Sequence, residues 1–348
     1  MHIGLTTEQE LLRDTVARLA ETMATTDPDD IAAGDRLDTQ WQRITELGLP
    51  TLRAPAAFGL EPSGVETAVA LEQLARTLTA VPALGQAVLA VELLHAAGAD
   101  KEIELVADGQ LRLAPALTAD LSDFARTCAL SVALDAAGAT HALVAVAEGD
   151  ARTLLCAPLH DRADDAGLDL TRAMRTVRAG DADSATPVGN PIEADRWTRV
   201  HATALTAVAA DLLGVMQGAL DDAVRYAGER IQFGSAIGSF QAVQHLLADS
   251  LIRVEGSRSC VWHAAWAVDH LPADQALLAA RTAKAYTSAA GREVVETSMQ
   301  VLGGISITWE HPAHLRLRRM LLGRRVFGDE STHYPAIADM RLADPTLS

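Results

Sequence analysis

The stretch YAGERIQFGSAIGSFQAVQHLLAD, residues 226–249, predicts two helices joined by a short turn that contains glycine. Arg230 lies at the end of the first predicted helix, and the pair Phe240–Gln241 opens the second. A guanidinium offers a planar fork of donors that suits a pyrophosphate, while Phe and Gln suit an adenine or ribityl face. The same residues also fit a helix–turn–helix packed for structural reasons, and composition does not separate the two interpretations.

Further patterns lie on both sides of this stretch. Downstream, residues 300–304 (QVLGG) end a predicted helix and are followed by residues 309–310 (WE) and 317–318 (LR). Upstream, residues 41–49 (WQRITELGL) match a loose tryptophan–leucine pattern. Together these patterns resemble the acyl-CoA dehydrogenase family, whose two C-terminal blocks have the same order and spacing. The residues of the 226–249 stretch that match the family signature are Arg230, Phe233, Gly234, Ile237, Phe240 and Gln241.

The resemblance implies a flavoprotein that desaturates an acyl-CoA thioester and passes electrons to an acceptor similar to electron-transfer flavoprotein. In the family these blocks hold the FAD of a neighbouring subunit across an interface. Carried over, Arg230 meets the pyrophosphate, and the glycines of residues 300–304 let backbone approach closely. A plain helix C-cap is the alternative for that glycine pair. The cofactor-binding residues implied by the resemblance are Arg230, Gln232, Phe233, Phe240, Gln241, Gln300, Gly303 and Gly304.

The rest of the chain predicts a fold that is mainly α with a central β region. Residues 1–110 and 196–348 show helical periodicity, whereas residues 111–195 contain short apolar runs bounded by Gly and Asp, which predict strands. These runs are LRLAPAL, CALSVALDA, HALVAVA and RTLLCAPL. The resemblance implies an N-terminal helical domain, a small β domain and a C-terminal four-helix bundle with these same boundaries.

Two local features of the N-terminal region can be predicted. Thr7 and Glu10 have the spacing of a capping box at the start of the first helix. Residues 65–97 read as long helical stretches that are broken near Pro82 and Gly85.

The catalytic base of the family is the part that this sequence does not reproduce. Family members use a carboxylate to remove the α proton while hydride leaves Cβ for the flavin. The resemblance offers two places for that carboxylate, and they hold Phe327 and Ala289. Asp329 and Glu330 lie close to the first place, although FGDE also reads as an exposed helix stop. Phe327, being apolar, is expected to pack against a helix or a ligand.

The central region departs from the family as well, because residues 111–195 contain no Trp and no Thr/Ser-rich strand pair to cover the flavin ring. A chain without a base but with cross-interface FAD residues resembles one half of a hetero-oligomer, as in some bacterial steroid-degrading members. A second acyl-CoA dehydrogenase-type subunit would then supply the base. The alternatives are a homomeric dehydrogenase with its base at Asp329 or Glu330, and a non-catalytic subunit that binds neither flavin nor acyl-CoA.

Charge and composition exclude several other classes. The net charge of −17 disfavours nucleic acid or a membrane surface as the main partner. A cluster of basic residues runs against this trend and is expected to be a solvated helix face; its members are Arg316, Arg318, Arg319, Arg324 and Arg325. No stretch approaches roughly 20 uninterrupted apolar residues, and the N-terminus is acidic where a signal peptide is basic, so a cytoplasmic protein is expected.

Metal and disulfide chemistry are not expected. Cys128, Cys156 and Cys260 are far apart, with no CxxC pair. His311 and His314 share a helix face, but Pro312 at a predicted helix start favours capping over metal binding.

Overall fold

The computed structural model describes residues 4–32, 34–54, 58, 64–127, 131–159, 167–178 and 184–343. Within these ranges the chain folds as helices, then strands, then helices. The helices are α1 (Thr7–Thr22), α2 (Gly34–Glu46), α3 (Gly64–Arg76), α4 (Ala90–Ala97), α5 (Asp100–Ala107), α6 (Ala194–Glu229), α7 (Gln241–His270), α8 (Ala273–Leu302), α9 (Ala313–Arg325) and α10 (Glu330–Ala343). Short 3-10 turns span Pro28–Ala32, Leu49–Arg53, Ile237–Ser239 and Gly303–Ile307, and a π-helical turn spans Ala83–Leu89.

The capping box of α1 forms one residue earlier than predicted. The hydroxyl of Thr6 accepts a hydrogen bond from the Gln9 amide at 3.3 Å, and the Gln9 side chain accepts one from the Thr6 amide at 2.9 Å. The prediction of Thr7 with Glu10 was therefore wrong in register. Both pairs have the same i, i+3 spacing, and Gln serves at the third position as well as Glu does.

The predicted break in the 65–97 helical stretch is confirmed near Pro82, but Gly85 lies inside the π-helical turn that follows. The amide of Gly85 donates to the Asp135 carboxylate at 2.8 Å. A Cβ at position 85 would lie 2.5 Å from the Cβ of Asp135, so only glycine allows this approach between the helices and the central strands.

The central region is a six-stranded mixed sheet in the order β5–β2–β1–β3–β4–β6. Its strands are β1 (Leu113–Thr118), β2 (Ser131–Leu134), β3 (His141–Glu148), β4 (Ala151–Pro158), β5 (Met174–Val177) and β6 (Thr186–Pro187). Among the described strand pairs, β1–β3 is parallel and the others are antiparallel. The four predicted apolar runs coincide with β1 to β4, whereas β5 and β6 were not predicted.

Helix α6 forms the centre of the C-terminal helices and packs against α3, α7, α8 and α9. It is the one helix of the described chain that is long and apolar enough to cross a membrane, with a mean hydropathy of 1.4 over 18 residues. That window is 94% buried within the fold, as expected for the core helix of a globular protein. Its apolar composition is therefore explained by packing.

Part of the basic cluster on α9 is buried, so the prediction of a solvated helix face was wrong for Arg316 and Arg319. Arg319 donates to both oxygens of Asp211 on α6, at 2.5 and 3.2 Å. Arg316 donates to Asp222 at 2.9 Å. These carboxylates lie roughly a hundred residues earlier in the chain, so the sequence shows the charges without showing that they are paired.

Asp211 also ties the sheet to the helices. Arg172, which precedes β5, donates to Asp211 at 2.7 Å and to Asp135 at 2.6 and 2.7 Å. All four side chains of this network, including Arg319, are buried. Burial alone would raise the pKa of Asp211, but the two guanidinium groups outweigh it and lower that pKa. The ion pairs hold the edge of the sheet that contains β5 against helices α6 and α9.

Candidate functional site

The 226–249 stretch forms a helix end, a small hairpin and a helix start. Helix α6 ends at Glu229, with Arg230 as its C-cap. Strands β7 (Ile231–Gln232) and β8 (Ser235–Ala236) then pair through Phe233 and Gly234, which have φ values of +52° and +80°. Two positive φ angles are typical of the tight hairpin turns that match strand twist. The predicted pair of helices with a glycine-containing turn is confirmed.

The side chains of this block point outward. Arg230, Gln232, Phe240 and Gln241 are exposed, and Phe233 is 96% exposed. The rings of Phe233 and Phe240 lie edge to face, with 6.3 Å between their centroids. Within the described part of the chain, the Arg230 guanidinium has no acidic partner. A free guanidinium beside exposed aromatic rings is typical of a surface that is completed by a ligand or another chain.

The second block begins where α8 ends. Gly303 has a φ of +68° and a ψ of −145°, a conformation that favours glycine. A Cβ built at Gly303 or Gly304 meets nothing within 4 Å, so crowding within this chain does not require glycine there. Gln300 is exposed and lines an open groove of about 370 Å³ between α7 and α8.

A small apolar cluster holds the two blocks together. Val301, beside Gln300, packs with Ala223 and Ala227 from the end of α6. Ile237, Val243 and Leu247, which are partly buried, complete the cluster. The sequence therefore brings both predicted cofactor-binding blocks to the same end of the helical bundle.

Nine exposed large apolar side chains lie within or close in sequence to the two blocks. They come from β7, the hairpin turn, the N-cap and first half of α7, and the segment after α8. The members are Ile231, Phe233, Phe240, Leu246, Leu251, Ile252, Ile305, Ile307 and Trp309. We call this set the apolar strip. Large exposed apolar side chains that lie together mark interaction surfaces, so this set is a candidate for one.

Neither of the two places for a catalytic carboxylate offers one. Ala289 is half-buried on α8. Phe327 is 3% exposed and packs against Phe124, with 4.8 Å between ring centroids. The expectation that Phe327 packs rather than faces solvent is confirmed. No proton acceptor stands at either position.

The two nearby acids have structural partners. Asp329 accepts hydrogen bonds from the amide and hydroxyl of Ser331, at 3.1 and 2.6 Å, at the start of α10. These hydrogen bonds lower the pKa of Asp329. Glu330 pairs with Arg324. The interpretation of FGDE as a helix stop is confirmed, because α9 ends at Arg325 and the chain turns before α10 starts at Glu330. The stop is not exposed, since Phe327 and Gly328 are buried.

Two buried titratable side chains next to the turn between α9 and α10 were not predicted from the sequence. Lys284 is fully buried, and its burial lowers its pKa to about 7. His333 is buried too, and burial together with the nearby Lys284 and Arg281 lowers its pKa to about 4. Lone Lys and His residues within amphipathic helices give no sequence signal of burial, so no pattern could have singled them out.

The remaining candidates have structural roles. The ring of His311 accepts a hydrogen bond from the Ala313 amide at 3.1 Å at the start of α9, which confirms the capping interpretation. In the described residues no group of three or more His, Cys, Asp or Glu side chains could hold a metal ion. Cys156 and Cys260 are free thiols, and Cys128 lies outside the described residues.

Comparison with known proteins agrees with this geometry. Residues 6–104 match the acyl-CoA dehydrogenase N-terminal domain, and residues 204–340 match the acyl-CoA dehydrogenase C-terminal domain. The chain belongs to the acyl-CoA dehydrogenase family of oxidoreductases and has the family's fold.

Individual relatives span different shares of the chain. It is 30% identical to the acyl-CoA dehydrogenase IpdE2 of Mycobacterium tuberculosis H37Rv over 326 residues, which cover 90% of each chain. It is 46% identical to the acyl-CoA dehydrogenase FadE34 of the same strain over 121 residues, which are 35% of this chain and 17% of FadE34. A structure of a Tcur3481–Tcur3483 steroid ACAD variant superposes with a TM-score of 0.79 and 25% identity, covering 98% of this chain and 99% of that one.

Proposed function

We propose that this chain is one subunit of a hetero-oligomeric, FAD-dependent acyl-CoA dehydrogenase. In this proposal it completes the FAD site of a second subunit of the same family, and that subunit supplies the catalytic carboxylate. The observation that carries the proposal is the contrast between the two halves of the site. The cofactor-binding block is exposed and unpaired, while the position of the base holds the buried Phe327.

The exposed block fits FAD in its chemistry. Arg230 has an unpaired fork of donors for the two phosphates. Phe240 and Gln241 offer a ring face and an amide to the nucleotide part. Gly303 and Gly304 have open space where a Cβ would be, so that a ligand or a second chain can approach their backbone. Gln232, Phe233 and Gln300 belong to the same surface.

The apolar strip supports a protein partner on the same face. The residues of the strip flank the FAD-binding residues in sequence, and the subunit whose FAD this chain completes would cover them. The Tcur3481–Tcur3483 protein, which is similar along almost the whole chain, carries two component names. Hetero-oligomeric assembly is therefore favoured over a homomer, in which Asp329 or Glu330 would have to leave their partners.

When bound, FAD accepts the hydride from Cβ of the acyl group. The part of this chain would be to hold the pyrophosphate through Arg230 and to exclude water from the nucleotide with Phe233 and Phe240. The α proton would be removed by the partner's carboxylate, because neither Phe327 nor Ala289 can accept a proton. Electrons would leave to an acceptor similar to electron-transfer flavoprotein.

Expression alone and with a candidate partner tests this function. We expect the isolated chain to be colourless and the co-expressed pair to copurify as a yellow complex whose flavin is bleached by an acyl-CoA. A yellow, active homomer would contradict the proposal. A stable complex that contains no flavin would instead identify a non-catalytic, stabilising subunit.

A further inference from the structure

A second groove, of about 370 Å³, is lined by side chains from α1, α3, α6 and α7 and by Leu5, which precedes α1. Among the described residues that line it, none belongs to the cofactor-binding blocks or to the apolar strip. Leu5, Ala17, Val69 and the Trp262 ring provide apolar surface, while the other lining side chains are polar or charged. We call this space the helical groove.

A continuous chain of hydrogen bonds orients the polar side chains of the helical groove. Glu72, which is 4% exposed, pairs with Arg258. Arg258 also donates to the side-chain carbonyl of Gln217 at 2.7 Å, and the Gln217 amide donates to Asp221 at 2.8 Å. Asp221 in turn accepts from Nε of Arg76 at 2.6 Å. Three helices therefore hold these groups in place, so the groove is already formed in the isolated chain.

Three polar groups of the groove have no hydrogen-bond partner among the described residues. The indole Nε1 of Trp262 is buried and donates to none of them. Gln73 is 5% exposed, and its side-chain amide is likewise unused. Arg76 reaches Asp221 through Nε, which leaves both of its Nη groups available. An indole N–H and a guanidinium can only donate, and buried donors are normally paired, so this site lacks an acceptor.

The charges of the lining favour an acceptor with a single negative charge. Glu72 and Asp14 each pair with an arginine of the groove. Arg76 is the remaining cation of the described lining, and its partner Asp221 is not part of that lining. The two Nη groups of a guanidinium match the two oxygens of a carboxylate. A phosphate dianion would bring a second charge that no further unpaired cation of the described lining offsets.

We propose that the helical groove binds a small monocarboxylate with a short apolar tail. The carboxylate accepts hydrogen bonds from the Nη groups of Arg76 and from the indole N–H of Trp262. The tail lies against Leu5, Ala17 and Val69, where it is removed from water. This site is separate from the cofactor-binding blocks and does not depend on whether the chain is one half of a hetero-oligomer.

The indole N–H signal of Trp262 in the nitrogen-15 spectrum of the full-length chain tests the proposal. The probe is sodium butyrate at constant ionic strength, with butyramide as a neutral ligand of the same shape and sodium chloride as the salt control. We expect butyrate alone to move this signal to higher frequency, with saturation in the millimolar range. Trp262→Phe assigns the signal. The signal of Trp309, whose indole already donates to Asp29 at 3.2 Å, should stay in place.

Arg76→Gln should weaken butyrate binding by roughly tenfold or more, the effect typical of losing a hydrogen bond to a charged group. Arg318→Gln, on α9 and outside the described lining, is the matched control and should bind butyrate as wild type does. A Trp262 signal that butyrate leaves in place would mean that water satisfies the groove, and the proposal would fall. An equal shift with butyramide or chloride, or equal affinity in Arg76→Gln, would overturn it too. The comparison of butyrate with butyramide uses wild type alone, so it holds even if Arg76→Gln does not fold.

Discussion

The Nζ atom of Lys284 lies 2.5 Å from the carbonyl oxygen of Gly328, which has a φ of +84° in the turn between α9 and α10. The same Nζ donates to the carbonyl of Arg324 and to the hydroxyl of Ser288, both at 3.0 Å. One buried amine therefore satisfies the end of α9 and the turn that carries Phe327. An apolar side chain at position 284 would leave both carbonyls without this donor.

This burial predicts a particular pH dependence of stability. The pKa of Lys284 falls from 10.5 to about 7 because burial disfavours the ammonium, although Asp329 and Glu330 oppose the shift. Between these two values the unfolded chain holds the proton and the folded chain does not, so the free energy of unfolding should rise with pH from about 7 toward 10.5. Urea unfolding of wild type and Lys284→Met at pH 7, 8 and 9 measures the effect.

We expect the free energy of unfolding of wild type, relative to that of Lys284→Met, to increase with pH from 7 to 9. Methionine does not titrate, and the two proteins have all other titratable groups in common. A difference that stays constant or shrinks would show that Lys284 remains charged in the folded protein. We expect the smallest difference at pH 7, since methionine also removes the cost of desolvating an ammonium.

Arg230→Ala should weaken FAD binding by the assembled enzyme. A hydrogen-bonded charged pair contributes about 1.5–3 kcal/mol, which corresponds to a rise of roughly 10- to 100-fold in the FAD dissociation constant. Arg225→Ala is the matched control, because Arg225 lies near the end of the same helix, its side chain is mostly exposed, and among the described residues its ion pair is with Asp222. Equal dissociation constants for wild type and Arg230→Ala would remove Arg230 from the cofactor site.

Arg319→Met should destabilise the chain strongly. It would remove one of the two guanidinium groups that pair with Asp211 in the core, and breaking a buried ion pair typically costs about 3–5 kcal/mol. Arg318→Met is the control on the same helix, because within the part of the chain that the structure describes Arg318 makes one exposed hydrogen bond, to the Leu168 carbonyl. Chemical denaturation of both variants provides the comparison, and a similar small loss in both would contradict the role assigned to Arg319.

Most of the fold could be predicted from the sequence. In an element with one apolar face, the spacing of the apolar residues shows the helical or the strand period. Strands β5 and β6 were missed since they have four and two residues, too few to show a period. The burial of Arg319 was missed for another reason. Its partner Asp211 is 108 residues away, and pairing at that distance leaves no local pattern.

The candidate site was predictable only in part. The resemblance marked Arg230, Phe240 and Gln300 as cofactor-binding residues, and their roles stay predictions, although Val301 brings their two blocks together. The resemblance also pointed to Phe327, whose burial is confirmed. Lys284 carries no motif, because its function depends on carbonyls that only the folded chain places near it.

Asp329→Asn and Glu330→Gln should leave flavin reduction nearly unchanged in the assembled enzyme. Both acids are engaged in structure, and Asn caps a helix about as well as Asp does. Loss of a true base slows the chemistry by about 10²–10⁴. Single-turnover reduction of the flavin by an acyl-CoA distinguishes these outcomes. A collapse of the rate in either variant, with flavin and substrate still bound, would promote the homomeric alternative.

The last prediction concerns Phe327→Glu, which would restore a carboxylate at the position of the missing base. We expect no flavin reduction by this chain, because Phe124 still fills the neighbouring space and a base needs access to its substrate as well as a suitable pKa. We also expect a loss of stability of at least the 3–5 kcal/mol typical of removing a buried phenyl ring, since the carboxyl group must be desolvated too. Phe327→Leu is the control, because it keeps an apolar side chain at the same backbone conformation and should lose much less. Denaturation curves and single-turnover kinetics on both variants decide the matter. A stable Phe327→Glu chain that oxidises acyl-CoA without a partner would show that only the carboxylate was missing.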